Sequence, residues 1–431
     1  MSKRFAVRCA LPAICHRVVQ TGEQRLYGGP HRGRVRTAGS CRSRLASQRK
    51  LAGLTQQQLA ARSHVSASLI SQVERGVVPA SPGFTAAVAS GLEIEVEALY
   101  AQPHGAAITD LRAHQARVPA LRVALDCADD PVLSGPTMTQ VELRTKLDEC
   151  ERDRTRSRYV QMTAALPELL QHSYVLAADA RAGIESEMAW SLLSDAYLLA
   201  QTVCFRFGHL DLAAQVNERW RQAADHSGDP LRGATAAYQR GALRLFRGDY
   251  HGVLRLMERA HSQIAQQRGP TANSVRAQLH LRQTIAYARE GIADRADDHI
   301  TAARELVARG VPANPYFDVL ATETNVDLHW VAVPVELSDG TTAVARAGRV
   351  QHPERDEPCR AGRYWIDVAR AWTLYGARAQ ALDALNRARR LAPQLTRYHP
   401  QVHETVHLLA ETDRRATDSL AGFARWIGVT L

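Results

Sequence analysis

From Leu54 to Gly76 the apolar positions Leu59, Ala60, Ile70 and Val73 recur at helical spacing, broken by Ser63-His64-Val65. The pattern predicts two short helices, Gln56 to Arg62 and Ala67 to Arg75, joined by a tight turn whose Val65 points back to the core. Thr55 and Ser66 stand where helix caps are wanted. Ala60 is small enough for a steep helix crossing. The second helix turns Ala67, Ser68, Ser71 and Gln72 away from its buried side, a face of small and amide-bearing groups that suits base edges. On either side, Arg44 to Ala52 reads as a helix with Leu45 and Leu51 inward. Ser81-Pro82 starts another helix, with Phe84, Val88 and Leu92 as its stripe. Val96 and Leu99 close the unit, which spans 41–102.

Residues 103–138 read mainly as a linker, because Pro103-His104-Gly105, Asp129-Asp130-Pro131 and Ser134-Gly135-Pro136 break the chain repeatedly and Pro119 interrupts what lies between. Over 139–431 the periodicity is helical almost throughout, with little strand signal. Gly208, Gly248, Gly291 and Gly376 each separate two amphipathic runs, at intervals of about forty residues or twice that. Gly340 falls in the longest interval and marks a degenerate unit. Ala381, Ala388 and Pro393 follow Gly376, Ala296 and Ala303 follow Gly291, Ala213 follows Gly208, and Ala260 follows Gly248. Such small residues let paired helices pack closely. The fold class expected is therefore all-α, a helix-turn-helix head followed by a helical-repeat superhelix.

Charge sharpens the division. The net charge is +10, yet residues 1–50 hold twelve Lys or Arg and one acid, Glu23. A basic end on a nearly neutral body points to an anionic partner for that end. Residues 1–40 are expected to be a basic, disordered extension, either an arm adding phosphate contacts or a product of an upstream start codon. Lys3, Lys50 and Lys146 are the lysines, so arginine supplies nearly all the positive charge, partly as a mark of GC-rich coding. The scattered cysteines, odd in number, fit reduced thiols in a cytoplasm. No apolar run reaches the roughly 20 residues of a membrane helix.

Thr55-Gln56-x-x-Leu59-Ala60, Val65-Ser66 and Ile70-Ser71-x-x-Glu74-Arg75-Gly76 resemble the phage-repressor-like (XRE-type) helix-turn-helix family, from about Arg44 to Tyr100. The resemblance implies a five-helix domain whose third helix enters the major groove of double-stranded DNA. It implies a backbone contact for Gln56, base contacts for Ala67, Ser68, Ser71 and Gln72, and a phosphate contact for Arg75. Arg44 and Ser66 complete the expected DNA-binding set. It further implies an ion pair between Arg49 and Glu74. Two departures stand out: His64 replaces a glycine at a turn position that tends to positive φ, and Val77-Val78-Pro79-Ala80 replaces a polar or basic loop. The body is similar to tetratricopeptide repeats over roughly 150–395. Thr324-Asn325-Val326-Asp327-Leu328-His329, Ile366-Asp367-Val368-Ala369-Arg370-Ala371 and Tyr398-His399-Pro400 carry a likeness to bacterial regulators that join the two parts.

One motif argues for an enzyme. His403-Glu404-Thr405-Val406-His407 matches His-Glu-x-x-His, which on a helix offers two zinc ligands and a general base. Ala410 and Asp413 occupy the places of the glycine and third histidine in the extended form. No phosphate loop, dinucleotide turn or nucleophile elbow is present. The chain is read as a non-enzymatic, cytoplasmic, sequence-specific transcriptional regulator with no cofactor and no metal. It is expected to bind DNA as a homodimer and to hold a peptide, protein or small-molecule ligand in its repeat groove, with no membrane contact. The alternatives are a repeat scaffold with a vestigial head, or a zinc metallopeptidase through His403 and His407.

Overall fold

The computed structural model describes residues 40–100, 109–133, 135–310, 321–351, 353–355, 357–412 and 418–429. The basic extension expected at 1–40 lies outside these residues except for Ser40, as does Asp413.

Side chains at the helix starts set the head. Thr55 Oγ1 accepts from the Gln58 amide at 3.2 Å, while Gln58 Oε1 accepts from the Thr55 amide at 2.8 Å, so each satisfies an orphan donor of the other. Ser66 Oγ accepts from Leu69 N at 3.2 Å, and Ser81 Oγ from Phe84 N at 3.1 Å with Pro82 in the first turn. These caps delimit α2 (Gln56–Ser63), α3 (Ala67–Glu74) and α4 (Pro82–Gly91), which follow α1 (Cys41–Leu51). A 3-10 turn, Val96–Ala98, stands where a fifth helix was expected. His64 takes the left-handed conformation at φ 54°, so the chain makes the glycine-like turn with histidine.

Leu45, Leu59, Ile70, Val73, Phe84, Val88 and Leu99 form the core of the head. Leu51, expected inward, is instead 80% exposed. It lies six residues beyond Leu45, about one and two-thirds turns, and so falls on another face of α1. α4 closes tightly on α2: a Cβ at Gly91 would lie 2.9 Å from Ser63 Cβ.

The expected linker contains two helices, α5 (Thr109–Gln115) and α6 (Val118–Asp126). Pro119 sits in the first turn of α6 and starts it, since an early helical position needs no amide donor. Leu121, Ala124 and Leu125 are buried against Leu143, Leu147 and Leu166, so this segment belongs to the body.

The body continues as α7 (Gln140–Thr155), α8 (Tyr159–Asp179), α9 (Ile184–Arg206), α10 (Leu210–His226), α11 (Pro230–Arg247), α12 (Tyr250–Gln263), α13 (Pro270–Arg289) and α14 (Ala293–Ala308). After these come α15 (Glu323–Glu336), α16 (Gly340–Ala347), α17 (Pro358–Tyr375), α18 (Arg378–Leu391), α19 (Pro393–Tyr398), α20 (Pro400–Thr412) and α21 (Asp418–Ile427). No strand occurs among the described residues. Successive helices pack as pairs, α9 with α10, α11 with α12, α13 with α14 and α17 with α18. Gly208, Gly248, Gly291 and Gly376 turn the chain within these pairs at φ between 80° and 90°. Gly340 has a different job. It opens α16, where a Cβ would come within 2.6 Å of the Tyr375 amide nitrogen. Ala213, Ala260, Ala296, Ala303, Ala381 and Ala388 are all fully buried at helix contacts.

The body bends until its first helices meet its last ones. Val160 N donates to Gln394 Oε1 at 3.1 Å, and Leu147, Leu385, Val402 and Phe423 share one core. A buried carboxylate locks the middle of the stack. Glu336 on α15 accepts from Arg289 of α13 at 3.0 Å and from Arg370 of α17 at 2.9 Å, and Arg370 also reaches Asp367 at 2.9 Å. Burial works against ionisation of Glu336, but the two guanidiniums outweigh it and hold the carboxyl down at about 2.

Several contacts among the described residues attach the head to this body. The Cys41 amide donates to Glu404 Oε1 at 2.7 Å. Phe246 packs against the head's core, its ring 5.3 Å from that of Tyr100. α4 approaches so closely that a Cβ at Gly248 would stand 2.6 Å from Ala86 Cβ.

Within the head, Arg49 Nε and Nη2 bond Glu74 Oε1 and Oε2 at 2.6 and 2.8 Å, with the two side chains 12% and 8% exposed. Glu74→Ala should cost the head about 3 kcal/mol by leaving a largely buried cation unpaired. Hydrogen exchange on the full chain should then quicken at the amides of α1 and α3 and stay unchanged in α13 to α18. A uniform response would deny the pair this local role.

Because Glu336 has a folded pKa depressed below the ordinary 4.5, its contribution to stability is complete above that value. It is lost as pH falls from about 4.5 towards about 2. Glu336→Gln should flatten that acid-induced loss of stability in urea unfolding curves, and at pH 7 it should be the less stable protein.

Candidate functional site

α3 buries Ile70 and Val73, and the helical period places Ser68, Ser71, Gln72 and Arg75 on one stripe of the opposite side. Ser68 and Arg75 are exposed, and Ala67, Ser71 and Gln72 half-buried. Within the stripe Gln72 Nε2 donates to Ser68 Oγ at 3.3 Å, and Arg75 Nε donates to the Ser71 carbonyl at 3.3 Å. These are weak bonds at the protein surface. A nucleic-acid edge or phosphate can replace them at small cost.

Three expected DNA contacts have structural employment. The Ser66 hydroxyl caps α3. Gln56 Nε2 donates to Glu74 Oε2 at 2.8 Å, joining the Arg49–Glu74 pair. Burial works against the charge on Glu74, but the bonds from Arg49 and Gln56 hold its carboxyl below the ordinary range. Arg49 Nη1 also donates to the Leu54 carbonyl at 2.9 Å, so one guanidinium ties α1, the loop after it and α3 together. Arg44 differs most from expectation. Its Nη1 donates to the Tyr100 carbonyl, beside the ring that packs on Phe246, which places it at the joint between head and body.

The His-Glu-x-x-His stretch lies on α20, where Glu404 and His403 are engaged. Glu404 accepts from the first amide of α1, where Ser40 supplies no side-chain cap. His403 is buried, and its Nε2 stands 2.7 Å from the Arg397 carbonyl as donor. Burial pushes His403 down, as it does His407, which is held at about 4 with His403, Arg42 and Arg44 adding to the effect. Among the described residues no group of three or more His, Cys, Asp or Glu is arranged to hold a metal. Purified protein should contain far less than one zinc per chain by elemental analysis. Stoichiometric zinc lost on His403→Ala would revive the peptidase.

A feature not visible in the sequence is a partly open interior cavity of about 360 Å³, lined by helices of the closing stack and by the head's Pro82, Glu97 and Tyr100. All three stretches that carried the regulator likeness contribute to it, through Asn325, His329, Asp367, Tyr398 and His399. Their shared role is spatial, and no local pattern in the sequence announces it.

A helix-turn-helix domain family matches residues 42–99. Among solved structures, the chain is similar to the crystal structure of BtubC (BKLC) from P. vanneervenii at 14% identity, covering 60% of this chain and 94% of that one with a TM-score of 0.34. So weak a likeness carries no argument. No curated protein matches the chain. Residues 42–99 thus carry a helix-turn-helix domain, the kind that binds DNA, on an otherwise all-helical chain.

Proposed function

We propose that this protein is a non-enzymatic, sequence-specific transcriptional regulator. Its head is of the XRE type and its body is a tetratricopeptide-like sensing or docking domain. The carrying observation is the division of labour in the head. Glu74, Gln56 and Ser66 hold the fold, α4 and the start of α1 meet the body, and the stripe from Ser68 to Arg75 faces outward with only weak bonds. A single head offers few cationic side chains beside α3, so a homodimer on two half-sites is the expected binding unit. No helix among the described residues is long and apolar enough to cross a membrane, and we place the protein in the cytoplasm. The reading needs no cofactor.

Gln72 is the long amide of the outward stripe and can bond an adenine edge at two places, whereas Ala67 offers a methyl contact and the serines discriminate little. Gln72→Ala should cost about 1–3 kcal/mol on the preferred site and relax preference at one base pair per half-site. Arg75→Ala should weaken all sequences alike and make the salt dependence shallower, because a phosphate contact carries no base information. Sites selected from random DNA, then varied one base at a time at two salt concentrations, give both readouts. An unchanged base preference in Gln72→Ala would mean that α3 is not the reader.

A further inference from the structure

The interior cavity is asymmetric in its chemistry. Six arginines line it, against the acids Glu97 and Asp367. Most of that charge is used: Arg289 pairs with Glu336, Arg363 with Asp367 at 3.0 Å, Arg154 with Glu151 at 2.6 Å and Arg360 with Glu357 at 3.2 Å, and the Arg282 guanidinium lies 4.0 Å from the centre of the Tyr238 ring. Arg206, at the end of α9, has neither an ion pair nor a hydrogen bond among the described residues, and it is half-buried.

The buried polar groups around the cavity are mixed: Oε2 of the head's Glu97 lacks a donor, while two amides lack acceptors. Gln201 and Gln401 are 2% and 6% exposed, both line the cavity, and the Nε2 of each lacks a hydrogen-bond acceptor. His399 supplies no positive partner to fill the space and no negative one. Burial, and then Arg363 and Arg206, hold it well below the ordinary range as a neutral ring, with Arg363 Nη1 donating to its Nε2 at 2.7 Å. Buried donors without acceptors are costly to maintain, and in a folded protein they point to something that accepts from them. Part of the wall is aromatic: Phe205 and Phe246 meet edge to face at 6.0 Å, and Tyr100 of the head packs on Phe246.

We infer that this cavity binds a small organic anion with an aromatic body, its carboxylate, phosphate or sulfonate held by Arg206 and the Gln201 and Gln401 amides and its ring against Phe205, Phe246 and the head's Tyr100. The volume suits a compact metabolite, since small-molecule pockets run from roughly 300 to 1,000 Å³. The inference deepens the sensing role proposed above and rests on it for its biological meaning. The site itself stands on the geometry of the cavity.

The test uses full-length protein and 8-anilinonaphthalene-1-sulfonate, an aromatic sulfonate whose fluorescence reports an apolar site, with uncharged N-phenyl-1-naphthylamine as its neutral counterpart. The sulfonate should saturate at one site per chain. Arg206→Gln should weaken it about tenfold, the scale of one charge-assisted hydrogen bond, and change the neutral probe less than about twofold. Ala242→Phe, which fills the cavity from α11, should weaken both. Gln201→Leu separates a ligand role from a structural one: removing a buried unsatisfied donor should raise the melting temperature while the sulfonate binds more weakly. Equal effects of Arg206→Gln on the two probes, binding without saturation, or a Gln201→Leu protein that is destabilised with unchanged sulfonate affinity would each overturn the assignment. DNA affinity with and without saturating sulfonate judges the sensing reading separately. A change supports it, and no change counts against sensing while leaving the site in place.

Discussion

The buried carboxylate of Glu336 is the point on which the rest of the molecule is set. It draws two guanidiniums from different helix pairs, Arg289 of α13 and Arg370 of α17, into one place. Three charges in an apolar interior are tolerated only when each meets its partners, so the three helices have little freedom to slide past one another. Arg289 extends the constraint outward. Its Nη1 donates to the Leu245 carbonyl at 3.1 Å, in the last turn of α11, and Phe246 and Gly248 next in the chain are the residues that meet the head. Its own carbonyl would stand 3.2 Å from a Cβ at Gly83, so α4 can come this near because Gly83 has none. Arg370 lines a small gap shared with Pro79, Ala80 and Ser81 of the loop after α3. The ionic core of the body therefore fixes the ground on which the DNA-reading domain stands.

That ground is narrow. The head keeps its own apolar core, and Phe246 is the body side chain that joins it. The other prominent tie is polar. α1 begins at Cys41 with no side-chain cap from Ser40, and Glu404 supplies an anion to its first amide from α20. A carboxylate at a helix N-terminus gains from both the exposed amide and the helix dipole. This gives the glutamate of the His-Glu-x-x-His stretch a structural partner that the motif alone does not reveal, a residue more than three hundred positions earlier in the chain.

What could be read from the sequence was local, and what could not was set by packing between distant segments. Thr55, Ser66 and Ser81 announce their helices because a cap acts within three residues. His64 was legible as a left-handed turn, and Gly208, Gly248, Gly291 and Gly376 as breaks between helices, for the same reason. Leu51 failed because its side depends on phase within α1, which its apolar character does not reveal. Residues 103–138 read mainly as a linker with short ordered pieces because proline and glycine break them repeatedly, yet Leu121 and Leu125 find a core made by residues beyond 140. Arg44 was expected among the DNA-binding residues, and its place at the joint with the body was not legible. The carbonyl it bonds, at Tyr100, becomes its neighbour only when the domain closes.

Tyr100 is also where the head, the body and the cavity meet. Its carbonyl holds Arg44 of α1, its ring packs on Phe246, and the same residue walls the cavity. From α1, Arg49 grips Glu74 at the end of α3. A continuous run of contacts thus leads from the cavity through Tyr100 and α1 to the outward stripe. Contiguity alone transmits nothing; transmission needs an element with two arrangements whose balance a ligand can shift. The joint has the construction for it. A head with a separate core, held by a carboxylate cap, an aromatic contact and close approaches of α4, can be re-seated as a body without being unfolded. On the proposed reading, a ligand beside Phe246 acts on that seat, and the Arg49–Glu74 pair ties α3 to whatever α1 does.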